Sequence, residues 1–163
     1  MVPIAHRRAL EAIRDGLSCS AVPWAVTGSV ALALQGVPVG CRDLDLVTSG
    51  AGARQIERVF ARQVGEPVEF GSRDHIRGHF GRLRLREVDV EVLGNVQTLM
   101  PDETWTVPPQ LDVNVIWLQL GERQCPVLRL TYLRDAYSAM GRSEKVLLIA
   151  SALSEKRCQA SSE

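Results

Sequence analysis

The sequence predicts an α+β domain, with a mixed, mostly antiparallel sheet, helices packed on one side of it, and a helical pair at the C-terminus. Three observations carry this. Side chains alternate with a period of two in DLDLV (43–47), HFGRLRLR (79–86), VDVEVL (88–93) and VNVIWLQL (113–120), the pattern of strands with two distinct faces. Aliphatic residues recur at helical spacing in 4–17, where Ile4, Leu10, Ile13 and Leu17 form an inner face with Arg and Glu between them. Two further helical patterns, LRDAYSAM (133–140) and SEKVLLIASAL (143–153), are separated by Gly141 and Arg142.

In order along the chain, Pro23 marks a turn after the first helix, and WAVT (24–27) is a short apolar strand. Gly28 and Ser29 turn it into the compact helix VALALQ, which ends at Gly36. After the loop GVPVGC comes the strand DLDLV, then a helix over 53–63 with Ile56, Val59 and Phe60 inward, then a short strand over 67–70. Residues 76–93 read as two antiparallel strands or one long bent one. The stretch 94–110, with Gly, Asn, Pro and a single Trp105, is a loop placed to fold over something. VNVIWLQL and CPVLRL pair across GERQ as a hairpin. Residues 1–155 are expected to form one domain and 156–163 a frayed tail, with no internal repeat.

Composition sets limits on function. The 163 residues can bury a real core without cross-links. With 45% hydrophobic and 23% charged residues, neither disorder nor a fibrous architecture is indicated. Basic and acidic residues balance at 19 each, so any affinity for polyanions must come from a local patch. Cys19, Cys41, Cys125 and Cys158 are scattered without zinc-ligand spacing and read as reduced thiols. The first residues form an amphipathic helix rather than a secretory signal, and no apolar run approaches a membrane span, so a cytoplasmic location is expected.

The chemistry-bearing constellation is Gly28-Ser29 at a strand-to-helix turn, followed by Asp43-Leu44-Asp45. A glycine-serine turn lets backbone N–H groups and a hydroxyl approach phosphate oxygens at a helix N-terminus. Two carboxylates at i and i+2 on a strand converge on one side, as a hard, oxygen-seeking Mg²⁺ requires. The flanking Leu44, Leu46 and Val47 bury the other face, so the acids line a cleft rather than open water. Metal beside phosphate is the geometry of phosphoryl and nucleotidyl transfer. Asp89 and Glu91, two apart and opposite Val88, Val90 and Val92, are both able to supply a third carboxylate.

On these residues the chain resembles the minimal nucleotidyltransferases of the polymerase-beta-like superfamily, whose pattern is a hydrophobic residue, Gly and Gly or Ser, a spacer, then a hydrophobic-flanked Asp-x-Asp. TGSVALALQG with DLDLV matches it, and LRDAYSAMGRSEKVLLIASAL looks like the tail of small prokaryotic relatives, so the likeness covers nearly the whole chain. The resemblance implies the polymerase-beta-like fold and transfer of a nucleoside monophosphate, AMP in first place, from a nucleoside triphosphate. It implies two Mg²⁺ ions on Asp43 and Asp45, and a third carboxylate that completes the site and activates the attacking hydroxyl. VEVLGN favours Glu91 for that place, with Asp89 as rival. Gly28 and Ser29 would hold phosphates. Ser143, capping the last helix, would set Arg142 and Lys145 around a positive helix end that holds the triphosphate; the plainer reading makes both solvated surface charges.

Where many relatives carry Arg-x-Thr/Ser before the Asp-x-Asp, this chain has Val39, Cys41 and Arg42 among the four positions before Asp43, so contacts to substrate made there in relatives are rerouted or absent. Stand-alone domains of this type resemble one half of prokaryotic toxin-antitoxin pairs, which puts protein or tRNA acceptors first. An aminoglycoside ranks lower, because those enzymes usually carry a larger second domain. The competing reading is a degenerate module that binds nucleotide or a partner without catalysis.

Remaining candidates have plainer explanations. His75 and His79 are spaced for a helical metal site, but Gly78 and strand-like flanks argue against a helix. Arg73, Arg77, Arg82, Arg84 and Arg86 either meet a triphosphate or RNA backbone or coat a solvated strand face. Trp24, Trp105 and Trp117 lack stacking-platform spacing and are expected in core or loop packing.

Overall fold

The computed structural model of the chain describes residues 1–160. A seven-stranded mixed sheet has the order β3-β4-β5-β2-β1-β7-β6, comprising β1 (Trp24–Thr27), β2 (Leu44–Thr48), β3 (Val64–Arg73), β4 (Ile76–Leu85), β5 (Val88–Thr98), β6 (Val115–Leu120) and β7 (Arg123–Leu128). Four pairings are antiparallel; β2 with β5 and β1 with β7 are parallel. The helices are α1 (Ile4–Leu17), α2 (Gly28–Leu34), α3 (Gly50–Val59), the single turn α4 (Leu111–Asn114), α5 (Leu130–Ala139) and α6 (Ser143–Ala160). This is the expected α+β architecture, and it ends in the expected helical pair.

The core is built from the aliphatic faces that the alternation marked. Leu44, Leu46, Val90 and Val92 on the two central parallel strands are buried, as are Val26, Val127 and the inner residues Leu10, Ile13 and Ile56 of α1 and α3. Burying an aliphatic side chain of this size contributes about 1.5–3 kcal/mol, so these strands anchor the fold and hold the residues between them in place. The helix α3 presses its first turn onto β5. A Cβ at Gly94 would lie 2.9 Å from both the Ala53 methyl and the Ser49 carbonyl.

Several expected details shift. Ile4 is 65% exposed, and Ala9 replaces it on the inner face of α1. The helix α3 starts at Gly50, because the Ser49 hydroxyl accepts from the Gly52 N–H at 2.9 Å and caps it there. It ends at Val59, which faces solvent, while Phe60 stays inside. Residues 76–93 are two strands, turned at Arg86 and Glu87 with φ of 47° and 68°, and β5 runs on to Thr98 into the expected loop. The short strand expected over 67–70 is one stretch of the ten-residue β3, because hydrogen bonding to β4 extends pairing beyond its apolar residues. Trp117 is 61% exposed on the edge strand β6 rather than packed away. The helix α6 continues through Ala160, beyond residue 155, and the rest of the expected tail, 161–163, lies outside the described residues. No described helix is long and apolar enough to cross a membrane.

Candidate active site

A cleft of about 710 Å³ opens along β2, and Gly28, Ser29, Asp43, Asp45 and Glu91 all line it, together with Arg42, Arg142 and Lys145. Every site residue singled out in the sequence, except the rival Asp89, therefore meets in one place. Pairing of β1 with β2 sets Thr27 opposite Asp45, so the chain leaves β1 into α2 directly above that carboxylate. Gly28 makes this turn with φ +67°, and a Cβ there would sit 2.0 Å from Asp45 Oδ2. The glycine is thus required twice: for a left-handed backbone and for room beside a carboxylate.

The parallel pairing of β2 with β5 sets Asp45 opposite Glu91. Asp43, one residue outside β2, stands exposed at the mouth. Burial first, then the charges of Glu91 and Asp43, push the Asp45 carboxyl up to about 7, against the pull of Lys145 and Arg73. Glu91 and Asp43 therefore both bear on Asp45 through space. Arg73 contacts Glu91 at 2.7 Å and Arg82 contacts it at 3.6 Å, and the Arg73 guanidinium also lies 4.2 Å from the centre of the Phe80 ring. Asp89 is instead paired with Arg84 at 2.6 Å and does not line the cleft.

The donor chemistry, all carboxylate oxygen, suits Mg²⁺ rather than a soft metal. An Asp45 made hard to ionise by burial and then by neighbouring acids is where a divalent cation would offset both. Among the described residues, no three Asp, Glu, His or Cys side chains form a ready ligand set. Glu91 is held by its arginines, and Asp43 with Asp45 forms the pair that would grip an ion first.

Across the cleft the α5–α6 junction supplies positive charge. Gly141, at φ +68°, reverses the chain, and the Val146 N–H donates to the Arg142 carbonyl at 3.2 Å. Arg142, not Ser143, thus occupies the capping position, because Ser143 is already inside the helix. Lys145 Nζ lies 4.6 Å from the centre of the Tyr137 ring. Its pKa is lowered by burial and then by Arg142, with Asp45 pulling the other way, and burial together with Asp45 pushes Tyr137 up to about 12. Arg142 stays exposed while Lys145 is half-buried, so only Lys145 departs from the plain reading of a solvated charge.

Three contributions were not legible beforehand. His6, on α1, meets the Arg42 carbonyl through Nε2 at 2.6 Å; because a carbonyl only accepts, Nε2 donates, and this bond ties down the segment entering Asp43. No local pattern signals it, since 36 positions separate the partners. The arginine cluster was visible, but its role was not: Arg73 and Arg82 engage Glu91, and Arg84 engages Asp89. Lastly, the loop after β5 is strapped to the sheet. The Arg77 guanidinium lies 4.3 Å from the centre of the Trp105 ring and donates to Gln97, Gln97 donates to the Thr106 carbonyl at 2.7 Å, and the Thr98 N–H donates to Thr106 Oγ1 at 2.8 Å. His75 and His79 lie at and beyond the β3–β4 turn, where His79 packs edge-on against Phe70 at 5.3 Å.

Carboxylates on adjacent parallel strands beside a glycine turn define a nucleotidyltransferase of the polymerase-beta-like fold. Comparison with known proteins agrees. The crystal structure of TM1012 from Thermotoga maritima, assigned as a nucleotidyltransferase, superposes with a TM-score of 0.82 at 37% identity, covering 95% of this chain and 96% of that one. ANT(2'')-Ia in complex with adenylyl-2''-tobramycin gives 0.60 at 13% identity over 94% and 92% of the two chains. The lincosamide antibiotic adenylyltransferase LnuA, lincomycin-bound, gives 0.57 at 12% identity over 89% and 96%. Among curated proteins none matches. The family model for aminoglycoside-2''-adenylyltransferase matches residues 9–150, and the chain belongs to that family of nucleotidyl-transferring enzymes. The expectation that aminoglycoside enzymes carry a larger second domain does not hold for ANT(2'')-Ia, 92% of which this chain covers.

Proposed function

We propose that this enzyme transfers AMP from ATP to a hydroxyl of a small-molecule acceptor, in a Mg²⁺-dependent reaction centred on Asp43, Asp45 and Glu91. The observation that carries it is the meeting of Asp43, Asp45 and Glu91 in one cleft, with Asp45 opposite Glu91 and directly beneath the Gly28 turn. When bound, Mg²⁺ would offset the charge that develops on the α-phosphate and on the leaving pyrophosphate. Asp43 and Asp45 would hold it. The backbone N–H groups at Gly28 and Ser29 would face phosphate oxygens, and Lys145 with Arg142 would balance the rest of the triphosphate. Glu91, oriented by Arg73, would accept the proton of the attacking hydroxyl once that hydroxyl lies within hydrogen-bond reach.

Membership in an aminoglycoside adenylyltransferase family supports AMP as the group transferred and a small molecule as its destination. A protein or tRNA hydroxyl in a toxin-antitoxin pair is a second reading, which rests on the likeness to minimal nucleotidyltransferases alone. The test incubates the protein and Asp43→Ala with each of four α-labelled nucleoside triphosphates, Mg²⁺ and a cell extract separated into small molecules, RNA and protein. Mg²⁺-dependent label from ATP in the small-molecule fraction, absent with Asp43→Ala, is expected. Label confined to protein or RNA would reverse the acceptor assignment. Nucleotide binding with no label anywhere would reduce the chain to a binding module.

A further inference from the structure

Resting on that reading, we infer that Arg73 and Phe80, neither of which lines the cleft, are positioning residues that act through Glu91. The Phe80 ring fixes the Arg73 guanidinium, Arg73 holds Glu91 at one oxygen, and the other oxygen is left to receive the proton of the attacking hydroxyl. In that step the hydroxyl oxygen bonds to the α-phosphorus while the bond from phosphorus to pyrophosphate breaks. The bonding pair departs with the pyrophosphate, and the proton passes to Glu91 Oε2.

Strand register alone would give this task to Arg82, which pairs directly with Glu91 across β4 and β5. Yet Arg82 stands 3.6 Å from Glu91 Oε1 and 3.5 Å from Glu66 Oε1, so its charge is divided between two carboxylates. Arg73 comes from β3, one strand further out, and nevertheless approaches the same Oε1 to 2.7 Å. What bridges the gap is Phe80. It lies two residues from Arg82 on β4, so both side chains share the sheet face of Glu91, and its ring centre is 4.2 Å from the Arg73 guanidinium carbon. A lone ion pair between partly exposed side chains holds its geometry weakly, because each long side chain keeps its rotamer freedom. A planar guanidinium lying on an aromatic ring has lost much of that freedom before it meets the carboxylate. Because both arginines make their closest approach at Oε1, Oε2 is the oxygen left to the cleft. Arg73 and Phe80 also line a separate groove of about 410 Å³ beside Glu66, Glu69 and Phe70, which opens the guanidinium site to small solutes.

The experiment measures Mg²⁺-dependent transfer of label from α-labelled ATP to whichever fraction of a cell extract accepts it, at fixed extract and varied ATP, with ATP binding measured separately. Arg73→Ala should lower kcat about thirtyfold, part of what a general base supplies, while ATP binding and the KM for ATP stay within about twofold. Millimolar methylguanidinium, entering through the groove, should restore that rate several-fold in Arg73→Ala and leave the wild-type rate unchanged. Phe80→Leu should lower kcat about tenfold, and Phe80→Tyr, which keeps the ring face, should stay close to wild type. Arg82→Gln should cost only about twofold. In a Glu91→Gln background neither Arg73→Ala nor Phe80→Leu should lower the rate further, since residues acting as a unit are not additive. A larger loss in Arg82→Gln than in Arg73→Ala, losses that add to that of Glu91→Gln, or an ATP KM that rises in step with the loss of kcat would overturn the inference. So would Phe80→Leu at the wild-type rate, Phe80→Tyr no better than Phe80→Leu, or no response to methylguanidinium. A wild-type protein that neither binds ATP with Mg²⁺ nor transfers label to any fraction would instead defeat the underlying nucleotidyl-transfer reading, and the two failures are thereby distinguished.

Discussion

The two walls of the cleft are built by different means. On the β1 side, position comes from backbone: a left-handed glycine at 28, a second at 141, and strand register that sets Thr27 over Asp45. On the β5 side, position comes from side chains: Arg73 on Glu91, Arg77 on Trp105, Gln97 on Thr106. Backbone geometry fixed by the sheet tolerates almost no substitution, whereas a side-chain network can be rebuilt with other residues. On the proposed reading, the first wall would meet the triphosphate and the second the acceptor.

The largest effects are expected from the shared floor and the backbone wall. Asp45→Asn should lower transfer by at least about a thousandfold, read as label incorporated per unit time. The same change should stabilise the metal-free protein at neutral pH. Because the folded carboxyl titrates near 7 and the unfolded one near 3.8, the folded state holds a proton that the unfolded state releases between those values. Stability should therefore fall as pH rises from about 4 to 7, by on the order of 1–3 kcal/mol, a slope that Asp45→Asn removes. Thermal melts across that range check the sign; a wild-type protein that instead gains stability would contradict the buried-acid account. Added Mg²⁺ at pH 7.5–8 should raise the wild-type melting temperature and leave Asp45→Asn unmoved.

Next in size is Gly28→Ala, which forces a Cβ against Asp45 and a methyl into a left-handed turn. Activity about a hundredfold lower is expected, with the circular dichroism spectrum retained, and wild-type activity would remove Gly28 from the site. Trp105→Ala tests the side-chain wall. Freeing the strap should raise the acceptor KM about tenfold while the KM for ATP stays within twofold; an equal rise in both would show that the two walls are not independent. The smallest effect belongs to His6. Loss of its bond to the Arg42 carbonyl in His6→Ala should lower kcat about three- to fivefold, and His6→Gln, whose amide can still donate, should recover part of it. No recovery would mean that the ring packs rather than positions.

The legibility of the site followed the same division. Asp43, Asp45, Gly28 and Ser29 were readable because each belongs to a short local pattern, a strand period or a strand-to-helix turn. Glu91 and Asp89 could not be separated by pattern, since both sit on one face of one strand. The parallel register Asp45 to Glu91 distinguishes them, and register is a long-range fact. Val59, Ile4 and Trp117 were misplaced because apolar spacing marks candidates for burial without showing where a neighbouring element stops covering them. The arginines were read as a solvated face or a phosphate site because a charge pattern does not reveal its partner.

The chain's own order of residues determined the elements, the buried stripe of β2 and β5, and the carboxylate and glycine pieces of the site, because periodicity and turn chemistry act over a few residues. Tertiary structure alone decided which acid of β5 faces Asp45, which arginines hold it, that His6 secures the approach to Asp43, and which apolar side chains line the cleft beside Glu91. Each of these depends on contacts between segments distant in sequence, where register and packing select a partner that local pattern leaves open.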